Sequence, residues 1–105
     1  MSPRGLGFAS LAVLRAVLEN HRYGFDIIDR TGLPSGTVYP ALATLERRQL
    51  VVSSWEDEQV AEAEGRPQRR YYQVTRAGEL ELDAAAERMR ALHLPGQPRP
   101  AGGGN

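Results

Sequence analysis

The sequence predicts a mainly α-helical domain carrying one small antiparallel β-hairpin. Three observations predict it. Apolar residues recur at spacings of three and four in three successive stretches; two short runs rich in β-branched and aromatic residues follow, separated by a charged segment with Gly65 and Pro67; and a last stretch returns to helical spacing.

From Ala9 to Asn20 the residues Leu11, Leu14, Val17 and Leu18 fall on one face, which predicts the first helix. After His21-Arg22, the stretch Tyr23 to Arg30 carries Phe25, Ile27 and Ile28, and Thr31-Gly32-Leu33-Pro34 stops it. This reads as a short second helix and a tight turn. Ser35 is placed to cap a third helix, Gly36 to Arg48, because its hydroxyl can accept a free amide of the first turn. Val38, Ala41, Leu42 and Leu45 form that helix's buried stripe. Pro40 falls near its start, where a missing donor costs least, and predicts a slightly irregular first turn.

Leu50 to Trp55 and Arg69 to Thr75 then read as two antiparallel strands, with Glu56 to Gln68 as a long exposed hairpin loop. Thr75 can cap a final helix from about Ala77 to His93. Within it Leu82, Ala85, Met89 and Leu92 repeat close to a heptad seam and predict a dimer interface, while Leu80 and Ala84 form a second edge that can pack on the domain. The tail 95–105, with its three prolines and four glycines, is expected to be disordered. Helix, helix, helix, strand, strand, helix is the order of a winged helix-turn-helix, here a domain over 1–76 followed by a dimerisation helix over 77–94.

Composition narrows the function classes. At 105 residues the chain has room for a single modest core, and with no cysteine it has no disulfide, thiolate metal site or cysteine nucleophile. No stretch approaches the roughly 18 apolar residues that span a bilayer, and Met1 to Phe8 lacks the layout of a signal segment. A cytoplasmic, nucleoid-associated protein with no membrane contact is expected. Thirteen basic residues, all arginine, balance thirteen acidic ones, so the argument for a nucleic-acid partner rests on placement and not on net charge.

Four segments carry a family resemblance, in the family's order. They are Tyr23-Gly24-Phe25-Asp26-Ile27-Ile28, then Pro34-Ser35-Gly36-Thr37-Val38-Tyr39-Pro40-Ala41-Leu42, then Leu45 to Trp55, and finally Arg69-Arg70-Tyr71-Tyr72-Gln73-Val74-Thr75-Arg76-Ala77-Gly78. Together they cover most of Leu11 to Leu92, and the chain resembles the PadR family of bacterial transcription regulators. The resemblance implies a regulator, usually a repressor, that dimerises through its last helix and binds a near-palindromic operator in double-stranded DNA. The chain departs from the family in three respects. Gln49 stands where the family usually has glycine; Glu56, Asp57, Glu58, Glu62 and Glu64 precede the wing's arginines and belong at its base or outer side; and the last helix is short enough that the dimer interface needs the first helix too.

Winding the third helix at 3.6 residues per turn sets Gly36, Pro40, Ala43 and Arg47 opposite the buried stripe, a mostly small face that lets the backbone approach a major-groove floor. The expected DNA contacts there are Ser35, Gly36, Thr37, Tyr39, Pro40, Thr44 and Arg47, with Arg47 the candidate for a guanine or a phosphate. In the wing they are Arg66, Gln68 and Arg69, with Arg70 turned to the face of Tyr72. His21 and His93 lack any partner at metal-ligand spacing, no cofactor motif occurs, and no catalytic constellation points to an enzyme. Nothing indicates a small-molecule effector, although Trp55 is the side chain a flat apolar ligand would want. A competing class, a winged-helix module that binds protein, draws on the neutral charge and the acidic wing half.

Overall fold

The computed structural model describes residues 5–93; the tail over 95–105 and the His93 side chain lie outside the described residues. Seven elements follow in order: α1 Phe8–Leu18, α2 Gly24–Thr31, α3 Ser35–Arg47, β1 Val51–Trp55, α4 Glu58–Ala63, β2 Arg70–Val74 and α5 Arg76–His93. The strands pair antiparallel from Val51 opposite Val74 to Trp55 opposite Arg70. Tyr72 N also donates to the Arg22 carbonyl at 2.8 Å, so the link before α2 lies along the outer edge of β2.

Helix α1 is the centre of the packing, touching α2, α3, β2 and α5. Because neighbours flank it on several sides, its buried residues are Val13, Leu14, Ala16 and Val17, a wider face than one stripe, while Leu18 at its end is exposed. Ile27, Val38, Leu42, Leu45 and Val51 complete the fully buried set. Each such aliphatic side chain contributes roughly 1.5–3 kcal/mol by leaving water. Phe25, expected among the apolar residues of the second helix, is exposed.

Helices α1, α3 and α4 end with one left-handed residue each: Asn20, Gln49 and Gly65. At each end the next amide reaches back to the last turn, as Leu50 N does to the Leu45 carbonyl at 2.9 Å and Arg66 N to the Ala61 carbonyl at 3.1 Å. This is the Schellman closure, which favours glycine because a Cβ is strained at positive φ. Gln49, at φ 61°, takes that strain.

The sequence reading needs correction at four places. Ser35 is not the cap of α3: Pro34 holds that position, its carbonyl accepts from Thr37 N and Val38 N, and Ser35 is the first helical residue with no capping bond. The segment Glu56 to Gln68 is not all loop, because Asp57 accepts from Gln59 N at 2.7 Å and starts the short helix α4, which buries Ala61. Leu82, expected in the dimer seam, is 9% exposed and belongs to the chain's own core. Leu80, expected to pack on the domain, is exposed. The phase of α5 decides these last two. Thr75 caps it, accepting from Gly78 N at 3.0 Å and donating to the Gln49 carbonyl at 2.8 Å, and a Cβ on Gly78 would overlap the Leu50 carbonyl. The face with Gly78 and Leu82 therefore meets the domain, and farther along the same face Met89 emerges 55% exposed.

Candidate nucleic-acid interface

The second helix, the turn and the third helix are joined rigidly. Thr31 Oγ1 donates to the Ile27 carbonyl at 2.8 Å and accepts from Leu33 N at 3.1 Å, and Gly32 takes φ 74° between them. Helix α3 then buries Val38, Ala41, Leu42 and Leu45, all expected, and turns Gly36, Pro40, Ala43 and Arg47 to solvent. Ser35 and Gly36 lie in its first turn, whose amides have no intrahelical acceptor and favour an anion. Thr37 and Thr44 are half-buried at the edges of the exposed face, and Arg47 Nη2 donates to Thr44 Oγ1 at 3.3 Å.

Tyr39 has two environments. Its ring is exposed, yet its hydroxyl end fills the space where a Cβ of residue 24 would stand, so the glycine of the Tyr23-Gly24-Phe25 segment makes room for it on the first turn of α2. A cavity of about 270 Å³ opens between these helix starts and the wing, lined by Tyr23, Phe25, Tyr39, Tyr72 and Arg69 among others. It joins the third helix to the hairpin across one continuous concave surface. Burial pushes the Tyr72 hydroxyl's pKa above its ordinary value.

Residues that the sequence reading took for a solvated loop build the wing. Glu56, 8% exposed, accepts from Arg66 Nη1 at 2.6 Å and Nη2 at 2.8 Å, from Arg69 N at 3.1 Å and from the Tyr71 hydroxyl at 3.3 Å. The Arg66 bond is the main cause that lowers its pKa to about 2, against the opposing effect of burial. Glu64 adds a contact at 3.0 Å, and Arg66 is held charged above its ordinary range. The expected phosphate contact Arg66 is thus already answered by two carboxylates. Gln68 is committed as well, donating through Nε2 to the Glu56 carbonyl at 2.7 Å. Arg70 lies 3.6 Å from Glu46, whose carboxylate also accepts from Ser53 Oγ at 2.6 Å. These contacts tie the wing to α3, and Arg70 also lies over Trp55, 5.0 Å from the ring centre.

Arg69 differs. Its guanidinium stacks on Tyr23 at 4.0 Å, and among the described residues no carboxylate lies within 4 Å of it or of Arg22, Arg47, Arg48 and Arg88. Of the expected contacts, the structure brings Tyr39, Arg66, Gln68 and Arg69 to one cavity and leaves Arg47 on the open face of α3. Sequence reasoning placed Glu56 among the acids at the wing's base or outer side without foreseeing its pairing with Arg66, and it missed Arg22 and Tyr71. An acid at the end of β1 with an arginine ten residues on was the available signal.

Among the described residues there is no group of His, Asp and Glu that could hold a metal ion, and no helix is long and apolar enough to cross a membrane.

A short-turn helix pair, an exposed third helix and a hairpin beside it define a winged-helix DNA-binding domain. The profile of the Transcriptional regulator PadR-like family matches residues 13–84, and the chain belongs to that family. Its function is DNA-binding transcriptional regulation, and its relatives are transcription regulators, not enzymes. A PadR family transcription regulator from Clostridium difficile R20291 is similar at 26% identity over 82% of this chain and 91% of that one, with a TM-score of 0.70. A PadR-like transcription factor from Bacteroides fragilis is 26% identical over 79% and 81%, with a TM-score of 0.66. BpsR of Bordetella bronchiseptica shares the fold at 19% identity, over 91% of this chain and 70% of that one, with a TM-score of 0.66. A search of curated proteins finds no match.

Proposed function

We propose that this protein represses transcription by binding a near-palindromic operator as a homodimer in the cytoplasm, associated with the nucleoid. One observation carries the reading. The solvent face of α3 is built of Gly36, Pro40 and Ala43, with Arg47 at its far end and Arg48 just beyond it, neither with a carboxylate within 4 Å among the described residues. Small residues let the helix lie deep in a major groove, the first-turn amides and Ser35 face a phosphate, and Thr37, Tyr39 and Thr44 contact the flanks. Arg47 reads a base, and Arg69 holds the backbone.

The dimer reading is supported by the outer part of α5, where Met89 is 55% and Leu92 76% exposed on a helix that continues past its own core contacts. Half-buried Ala85 lies between those regions and completes the proposed seam. Leu82 supports it from inside the fold. Charged substitutions at Met89 and Leu92 should give a folded monomer in sedimentation, whereas one at Leu82 should unfold the chain.

Selection of bound fragments from random double-stranded DNA tests the function. A two-fold symmetric consensus supports it, and a reporter gene behind that consensus should fall in expression when the protein is supplied. Failure to enrich any sequence, or a rise in the reporter, would overturn specific binding or repression respectively.

A further inference from the structure

Beside the recognition helix, two arginines and two tyrosines form a ladder. Arg22 lies over the Tyr71 ring at 5.3 Å, Tyr71 meets Tyr23 edge to face at 5.8 Å, and Arg69 stacks on Tyr23 at 4.0 Å. The ladder is anchored at both ends. Glu56 holds the Tyr71 hydroxyl and the Arg69 amide, and the Arg22 carbonyl accepts from Tyr72 N.

The two guanidinium groups differ from those of Arg66 and Arg70. Among the described residues, neither Arg22 nor Arg69 has a carboxylate within 4 Å, and neither side chain donates a hydrogen bond. A guanidinium held over a ring by cation–π attraction and bonded to no protein acceptor keeps its N–H donors for a further partner. That is the arrangement suited to a phosphate, which accepts two such donors side by side. Tyr23 and Arg69 line the same cavity as Tyr39 of α3, so the ladder lies beside the recognition helix.

We propose that Arg22 is a second, sequence-independent phosphate contact, with Tyr71 and Tyr23 positioning it and Arg69 on one side of the duplex. This rests on the DNA-binding reading above and extends it to a residue before α2. Arg22 adds affinity and sets no base preference.

The test titrates the full chain and the variants Arg22→Ala, Arg22→Gln and Arg22→Lys on the selected operator and on a scrambled duplex over a series of salt concentrations. Both neutral variants should bind the two duplexes more weakly by the same factor, and should lower the slope of log affinity against log salt by about 0.9 per protomer bound. Arg22→Lys should keep the slope. If the parent binds and the neutral variants keep its slope, even with a lower melting temperature, Arg22 is a structural residue and the proposal is overturned. A parent that binds neither duplex would instead overturn the DNA-binding reading along with it.

Discussion

Helix α3 and the wing carry arginine in opposite states. Arg47 and Arg48 stand at the end of α3 with no carboxylate within 4 Å among the described residues, while Arg66 and Arg70 in the wing are answered by Glu56, Glu64 and Glu46 of the same chain. A basic residue near a hairpin tip is not thereby a phosphate ligand. A guanidinium already paired at 2.6 Å gives up that bond to reach DNA, so its net gain is small. In this wing Arg69 alone among 66, 69 and 70 has no carboxylate within 4 Å among the described residues, and a tyrosine supports it instead.

The largest effect should come from the α3 side. Arg47→Ala is expected to cost about 1 to 3 kcal/mol on the operator and to relax preference at one position of each half-site, with little loss on scrambled DNA. Fluorescence anisotropy on the two duplexes measures it, and equal losses on both would remove Arg47 from base readout.

Next comes the clasp. Glu56→Gln leaves Arg66 without its main counter-charge, so amide exchange in β1, α4 and β2 should speed up while α3 stays protected. Uniform loss of protection would mean that the wing and α3 do not open separately. Acid should reproduce the change. A carboxylate held at about 2 against an ordinary 4.5 stabilises the folded wing fully above pH 4.5, and that contribution fades as pH falls toward 2. Circular dichroism together with amide exchange between pH 5 and 2 should show the wing loosening first, an order that the Glu56→Gln substitution abolishes.

The smallest expected effect lies at the junction of the two regions. Gln49→Gly should stabilise the fold by about 0.5 to 1 kcal/mol, because the position is left-handed at φ 61° and closes α3 onto β1. Thermal melts decide it, and a lower melting temperature would show that the Gln49 side chain contributes more than its backbone strain costs.

The α3 side was legible because its information is periodic. Val38, Ala41, Leu42 and Leu45 repeat at helical spacing, and all four are buried. The start of α3 was misread by one residue, since Pro34 can accept through its carbonyl what Ser35 was expected to accept through its hydroxyl. The wing's interior was hidden for a different reason. Helix α4 buries only Ala61, too little to leave an apolar period, and the Glu56–Arg66 pair joins positions whose spacing follows no repeat. Leu82 was read into the dimer seam and Leu80 as packed on the domain because the phase of α5 is set by Gly78 against the Leu50 carbonyl, a contact between distant segments.

The most direct test of the contrast between answered and unanswered arginines is the salt dependence of operator binding for Arg66→Ala beside Arg69→Ala. Counterion release counts the phosphates a protein neutralises, so each true contact contributes about 0.9 to the slope, and a dimer doubles the change. Arg69→Ala should lower the slope by that amount on operator and scrambled DNA alike, while Arg66→Ala should lower thermal stability and leave the slope where it was. A slope that falls for Arg66→Ala and holds for Arg69→Ala would contradict the account.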